Sequence, residues 1–240
     1  MSEKLDGVRA YWDGKSFWSR LGGTFHAPEW FTKDLPKDTH LDGELFGGRG
    51  KFQSTVGTVK TIPTSKKYDP ERWRNLVYKV FDSIIYPAPF EDRQGTAKRR
   101  TAGCEYASVL QQILCTGVDH LRDTLAIVEA VGGEGLMLRQ PGSLYERKRS
   151  STLLKVKTFH DAEAVVIGHD PGKGKHKGRL GALQCRAENG AFFGIGTGFT
   201  DAEREAPPNV GATVTYRFQE LTLDGVPRFP VYVRERTAGL

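Results

Sequence analysis

The stretch Lys4-Leu5-Asp6-Gly7-Val8-Arg9-Ala10-Tyr11-Trp12 sets the reading of this 240-residue chain. A lysine enters a tight, glycine-containing turn that leads into a strand. Asp13-Gly14-Lys15 then separates 8–12 from a second aromatic-rich run at 16–19, which predicts a hairpin with an Asp-Gly turn. A lysine amine attacks phosphorus only when unprotonated, a form favoured by cationic neighbours or desolvation. The spacing of Lys4 and Arg9 sets a phosphate-binding cation beside such a nucleophile. On its own, K-x-D-G-x-R reads equally well as a solvated turn.

Outward from that hairpin, 41–46 and 76–85 have strand composition, whereas 105–115 and 121–131 carry apolar residues at helical spacing, the second stopping at Gly132-Gly133. Residues 136–139 and 151–157 are further strand candidates. The mixture predicts an α+β domain over 1–158. Beyond a boundary near 158–161 the pattern changes. Residues 162–168, 181–187, 191–196, 212–219 and 231–234 are short strands between Gly- and Pro-bearing turns, which predicts a small all-β OB-fold barrel over 159–240.

Lys and Arg number 35 against 29 Asp and Glu, a net charge of +6. That excess suits a polyanionic partner, because phosphate contacts release counterions, and it equally suits a generally basic surface. Cys104, Cys115 and Cys185 are scattered, which excludes a disulfide framework and a cysteine zinc module. No apolar run is long enough to span a bilayer, and residues 1–20 hold no signal peptide. The chain is expected to be soluble, monomeric and free of membrane. Met1-Ser2-Glu3 leaves almost no strand ahead of Lys4, so the natural protein is expected to begin further upstream. An export signal to the periplasm would lie there; without one, the expected compartment is the cytoplasm.

Three further motifs carry candidate chemistry. In Leu41-Asp42-Gly43-Glu44-Leu45 the strand period puts Asp42 and Glu44 on one side, where a carboxylate can hold a ribose hydroxyl or hydrated Mg²⁺. Glu134 opens the apolar strand Leu136-Met137-Leu138-Arg139 after two glycines, as a solvated acid or a catalytic one. In Leu153-Leu154-Lys155-Val156-Lys157 alternation sends both lysines to one face, where an anion between them would relieve their repulsion; a solvated edge strand shows the same pattern.

Taken together, K-x-D-G-x-R, D-G-E-L, Phe81-Asp82 at a strand end, E-G-x-M-x-R, L-L-K-x-K and a β-barrel tail follow in a fixed order. That series resembles the covalent nucleotidyltransferase superfamily of ATP-dependent DNA ligases, RNA ligases and mRNA capping enzymes, over nearly the whole chain. Ser19-Arg20-Leu21-Gly22 resembles the S-R-x-G element that DNA ligases set against the phosphate backbone, and Arg149-Ser150 also fits the ligase pattern. His26-Ala27-Pro28-Glu29-Trp30-Phe31 is similar to the minimal bacterial Lig E type.

The resemblance implies residue roles. Lys4 would be the adenylylated nucleophile, flanked by Glu3 and Leu5 in the nucleotide pocket. Arg9 would contact the nucleotide or the nick phosphate, and Phe81 would stack on adenine. Glu44 would touch ribose or metal, Glu134 would be a metal ligand, and Lys155 and Lys157 would clamp the α-phosphate. Arg228, Arg234 and Arg236 resemble the last ligase motif, which orients pyrophosphate. The family usually adds an acid and a lysine after it, whereas Thr237-Ala238-Gly239-Leu240 follow here.

Ser19, Arg20 and the glycine-spaced Lys173, Lys175, Lys177 and Arg179 are expected to contact DNA backbone without reading sequence; the latter loop and Lys98-Arg99-Arg100 also read as solvated. The implied activity is sealing of nicked duplex DNA with ATP and Mg²⁺ or Mn²⁺. The rival readings are an RNA ligase, a capping guanylyltransferase and a non-catalytic OB protein that binds nucleic acid.

Overall fold

A computed structural model of the chain describes residues 1–222 and 224–236. The terminal Thr237-Ala238-Gly239-Leu240, set against the family's acid and lysine above, lies outside the described residues. The chain divides into two compact units, Met1–Lys157 and Thr158–Leu240.

In the first unit the strands are β1 (Ser2–Glu3), β2 (Val8–Trp12), β3 (Phe17–Trp18), β4 (Thr24–Phe25), β5 (Leu41–Phe46), β6 (Val77–Ser83), β7 (Ala107–Val109), β8 (Leu136–Arg139) and β9 (Leu153–Val156). Its helices are α1 (Glu29–Thr32), α2 (Phe52–Val59), α3 (Phe90–Arg100) and α4 (Val118–Ala130). A six-stranded sheet runs β4-β3-β2-β5-β6-β7, and a three-stranded sheet runs β1-β8-β9.

The predicted hairpin forms as its turn residues require. Asp13 Oδ1 accepts from the amides of Lys15 and Ser16 at 2.8 and 2.7 Å, and Gly14 takes a φ of 94°. Alternation then sorts the large sheet into two faces. Ala10, Trp12, Leu41, Leu45, Tyr78 and Val80 are buried in a core with Phe17, Phe31 and Trp73. Arg9 is paired with Glu44, and Tyr11 with Asp42, on the other face. Opposite β5 the register slips between Asp42↔Asp82 and Gly43↔Val80, leaving Phe81 as the extra residue. Such a bulge re-aims the side chain it carries.

Residues 105–115 are not the helix their spacing predicts. Ala107–Val109 forms β7, parallel to Tyr78–Val80, and Leu110 continues it by donating to the Val80 carbonyl. The open edge of β6 supplies backbone partners, and that outweighs a weak local periodicity. The helices α2 and α3 arise where no helix was anticipated, since both carry narrow buried stripes: Thr55, Thr58 and Val59 in one, Phe90, Arg93 and Ala97 in the other.

The second unit contains β10 (His160–Pro171), β11 (Leu180–Ala187), β12 (Phe192–Ile195), β13 (Thr213–Phe218), β14 (Glu220–Leu221), β15 (Pro227–Arg228), β16 (Val231–Glu235) and one short helix, α5 (Asp201–Glu205). The sheet order is β12-β11-β10-β13-β16. Its ends curl together where Tyr232 donates to the Thr197 carbonyl at 2.8 Å, giving an OB-like sheet around Val166, Leu183, Cys185, Ile195, Val214 and Tyr216. Arg204 of α5 is itself buried and donates to the carbonyls of Leu180 and Gly196, stapling the helix to the sheet. Among the described residues, no helix is long and apolar enough to cross a membrane.

Candidate active site

Lys4 follows β1 directly, and its amide donates to the Gly135 carbonyl at 2.8 Å, which carries the three-stranded sheet one step past Glu3. The turn behind it must be glycine. A Cβ on Gly7 would stand 2.5 Å from the Leu45 carbonyl oxygen and 2.7 Å from Glu44 Cγ, so the turn lies directly against β5.

Glu134 is the meeting point of the site. Its Oε2 oxygen takes the ammonium of Lys4 and its Oε1 oxygen that of Lys157. The Lys157 side chain is 6% exposed and that of Glu134 9%, against 24% for Lys4. Burial alone would raise the Glu134 carboxyl, but the bonds from Lys157 and Lys4 hold it below its ordinary range. Lys155, one strand step back, is exposed. Two ammoniums converging on one anion form a donor set that suits a phosphate.

Glu44 neighbours the same charges. Burial lifts its carboxyl to about 8 against the pull of Lys4 and Arg9, with Asp42 and Glu134 adding to the lift. Two carboxylates near one another welcome a divalent cation, which relieves their repulsion. No group of three or more acidic, His or Cys side chains that could hold a metal occurs among the described residues. The Glu44 and Glu134 carboxyls, two acids near one another, are the donor set on this face that suits a divalent cation completed by water and phosphate oxygens.

Arg9 projects beside these acids with its Cζ 5.8 Å from the Phe81 ring, so the bulge has brought the aromatic residue to the site face. Its Nε and Nη2 donate to Asp42 Oδ1 and Oδ2 at 3.0 and 2.6 Å. Glu3 faces a different partner, since Arg49 holds its carboxylate with two bonds of 2.8 and 2.9 Å. Leu5 is half-buried within the turn.

Sequence reasoning missed the support beneath this face. Arg93 and Asp82 are both fully buried and joined by bonds of 2.7 and 3.1 Å, with Arg139 adding a third at 3.2 Å. The signal was an arginine on the apolar stripe of α3, in register with Phe90 and Ala97. Tyr145 and Arg49 carried no signal of that kind.

The other candidates lie elsewhere. Ser19 closes a tight turn in which its hydroxyl accepts from the Gly23 amide at 2.9 Å, leaving Arg20 exposed at the tip. In the second unit, Lys173, Lys175 and Lys177 are exposed around a 3₁₀ turn, Gly174–His176. Arg179 differs from them, being turned back 3.2 Å from Asp201 and 3.7 Å from Glu205. Arg228 bonds Glu220 at 2.7 Å and Arg236 bonds Glu163, whereas the charge of Arg234 helps hold the Asp161 carboxyl below its ordinary range.

The DNA ligase of Haemophilus influenzae is 40% identical to this chain over 245 residues, spanning 98% of this chain and 86% of that protein. This chain belongs to the DNA ligase family. Within the ligase, residues 171–236 match the family described as DNA ligase OB-like domain, so the basic loop and the arginines of β15 and β16 fall inside it. A solved structure from work on Lig E DNA ligases is 39% identical, with a TM-score of 0.92 and coverage of 98% of this chain and 91% of that one. Larger relatives share only part of their length: DNA ligase 1 of Methanosarcina barkeri is 27% identical over 202 residues, which is 70% of this ligase but 36% of the archaeal protein.

Proposed function

We propose that the ligase seals nicks in duplex DNA at the expense of ATP, as a monomer, with Lys4 as the nucleophile. One observation carries this assignment: Lys4 and Lys157 converge on a single carboxylate beside a second acid, so the amine and a second cation already stand where one anionic group, such as a phosphate, is held between them. In the first step Lys4 Nζ attacks the α-phosphorus, the P–N bond to AMP forms, and pyrophosphate leaves with the broken P–O bond. In the second the DNA 5′-phosphate oxygen displaces Lys4 from the adenylate. In the third the 3′-hydroxyl forms the phosphodiester and AMP departs.

In this reading Lys157 meets the α-phosphate from the buried side and Lys155 from the solvent side. Phe81 stacks on adenine, and Arg9 meets the nucleotide or the nick phosphate. Glu3 and Leu5 frame the base, with Glu3 held in place by Arg49. Glu44 and Glu134 would hold Mg²⁺ or Mn²⁺, which would supply charge neutralisation at the reacting phosphate. Each step is an in-line displacement, so acceleration comes from positioning and electrostatics. Ser19, Arg20, Lys173, Lys175 and Lys177 contact the DNA backbone. Arg228, Arg234 and Arg236 are the residues that would orient pyrophosphate, each now near a carboxylate, Glu220, Asp161 and Glu163 respectively.

The decisive experiment incubates wild type and Lys4→Ala with ATP, GTP or NAD labelled at the α-phosphate, then adds nicked DNA or RNA. Label from ATP alone should enter wild-type protein and pass to nicked DNA. Label bound by Lys4→Ala would refute the nucleophile, and transfer only to RNA would refute the substrate.

A further inference from the structure

We propose that Tyr145 is a positioning residue for ligation, acting on Arg9 through Asp42. The inference rests on the reading of Arg9 as a phosphate-contacting residue. The Tyr145 hydroxyl donates to Asp42 Oδ2 at 2.8 Å, on the same oxygen that takes Arg9 Nη2 at 2.6 Å. Asp42 is 1% exposed, so these partners replace water around its charge.

A guanidinium carries five N–H donors in one plane. Two of those on Arg9 are spent on Asp42, so the remaining edge faces outward in an orientation set by the plane of that carboxylate. The Arg9 side chain is half exposed and stands beside Phe81, where that outward edge is open to an anion. The third bond, from Tyr145, is what stops the Asp42 carboxylate from turning with the arginine. Burial and the charge of Asp42 both push the Tyr145 hydroxyl above its ordinary pKa, so it stays protonated and keeps donating.

Tyr145 is itself anchored. Arg93, fixed to Asp82 in the interior, donates to the Ser143 carbonyl at 2.8 Å, two residues earlier, and lies 5.9 Å from the Tyr145 ring. A rigid buried pair thus sets the height of the segment, the tyrosine sets the carboxylate, and the carboxylate sets the arginine. Supporting shells of this kind hold reacting groups within tolerances that side-chain rotamers alone do not secure.

The test compares single-turnover rates of self-adenylylation and of sealing a pre-adenylylated nick in wild type, Arg9→Gln, Tyr145→Phe, Asp42→Asn and the Arg9→Gln/Tyr145→Phe double variant. Thermal midpoints provide the control for folding. Tyr145→Phe is expected to melt near wild type and to slow, by roughly tenfold or more, the same step that Arg9→Gln slows, the size of a lost bond to a charged group. The double variant should be no slower than Arg9→Gln, and Asp42→Asn, which keeps the side-chain shape, should fail at that step too. Wild-type rates in Tyr145→Phe, or losses that multiply in the double variant, would overturn the inference while leaving the role of Arg9 intact. Wild-type rates in Arg9→Gln would overturn both.

Discussion

Lys4 and Lys157, from opposite ends of the first unit's sequence, are brought onto the two oxygens of one carboxylate, that of Glu134. Without the acid, two ammoniums would face each other in a partly dry site. Glu134→Gln is therefore expected to destabilise the ligand-free protein by about 1–3 kcal/mol, the cost of leaving buried charges without a partner. Urea denaturation checks this, and a midpoint equal to wild type would show that the carboxylate is not holding the lysines.

The Arg93–Asp82 pair is fully buried, so removing one partner strands a charge in the interior. Arg93→Met should cost about 3 kcal/mol or more and should loosen the Ser143 carbonyl that Arg93 holds. Denaturation together with hydrogen exchange at residues 140–146 would report both effects.

Glu44 links stability to pH. Its carboxyl, raised from an ordinary 4.5 to about 8, binds a proton more tightly in the folded than in the unfolded chain. The stability it contributes is present below 4.5 and is lost as pH rises through about 8. Glu44→Gln, which cannot ionise, should gain on wild type steadily across that window in metal-free and nucleotide-free buffer. A difference independent of pH would contradict the burial of an ionisable group there.

Binding to nicked DNA should fall steeply with salt, as counterion release requires. Replacing Lys173, Lys175 or Lys177 by alanine should each lower the slope of log affinity against log salt by about one. Arg179→Ala should leave that slope unchanged, because its charge already serves Asp201 and Glu205. Titrations at several ionic strengths separate the four residues.

Much of this architecture was legible because it is written in local patterns. The hairpin after Lys4, the strand at 41–46, the helix around 121–131 and the run of short strands after residue 160 follow from turn chemistry and periodicity. The segment 105–115 misled because its apolar spacing fits a helix, while its backbone is taken up beside β6 by a sheet partner distant in sequence. The helix at 90–100 was hidden because its buried stripe holds an arginine where a hydrophobic residue is the usual marker.

By itself the sequence determined which residue types stand near the chemistry: the lysine in its glycine turn, the acids, the paired lysines and the family they resemble. Only the tertiary structure decided how they are partnered. It set Glu134 between Lys4 and Lys157, put Asp42 under Arg9, turned Phe81 out through a bulge and drew Arg179 back to α5. Periodicity reports which side of a strand a residue occupies, whereas ion pairing depends on which distant segments the sheets and the core bring within hydrogen-bond reach.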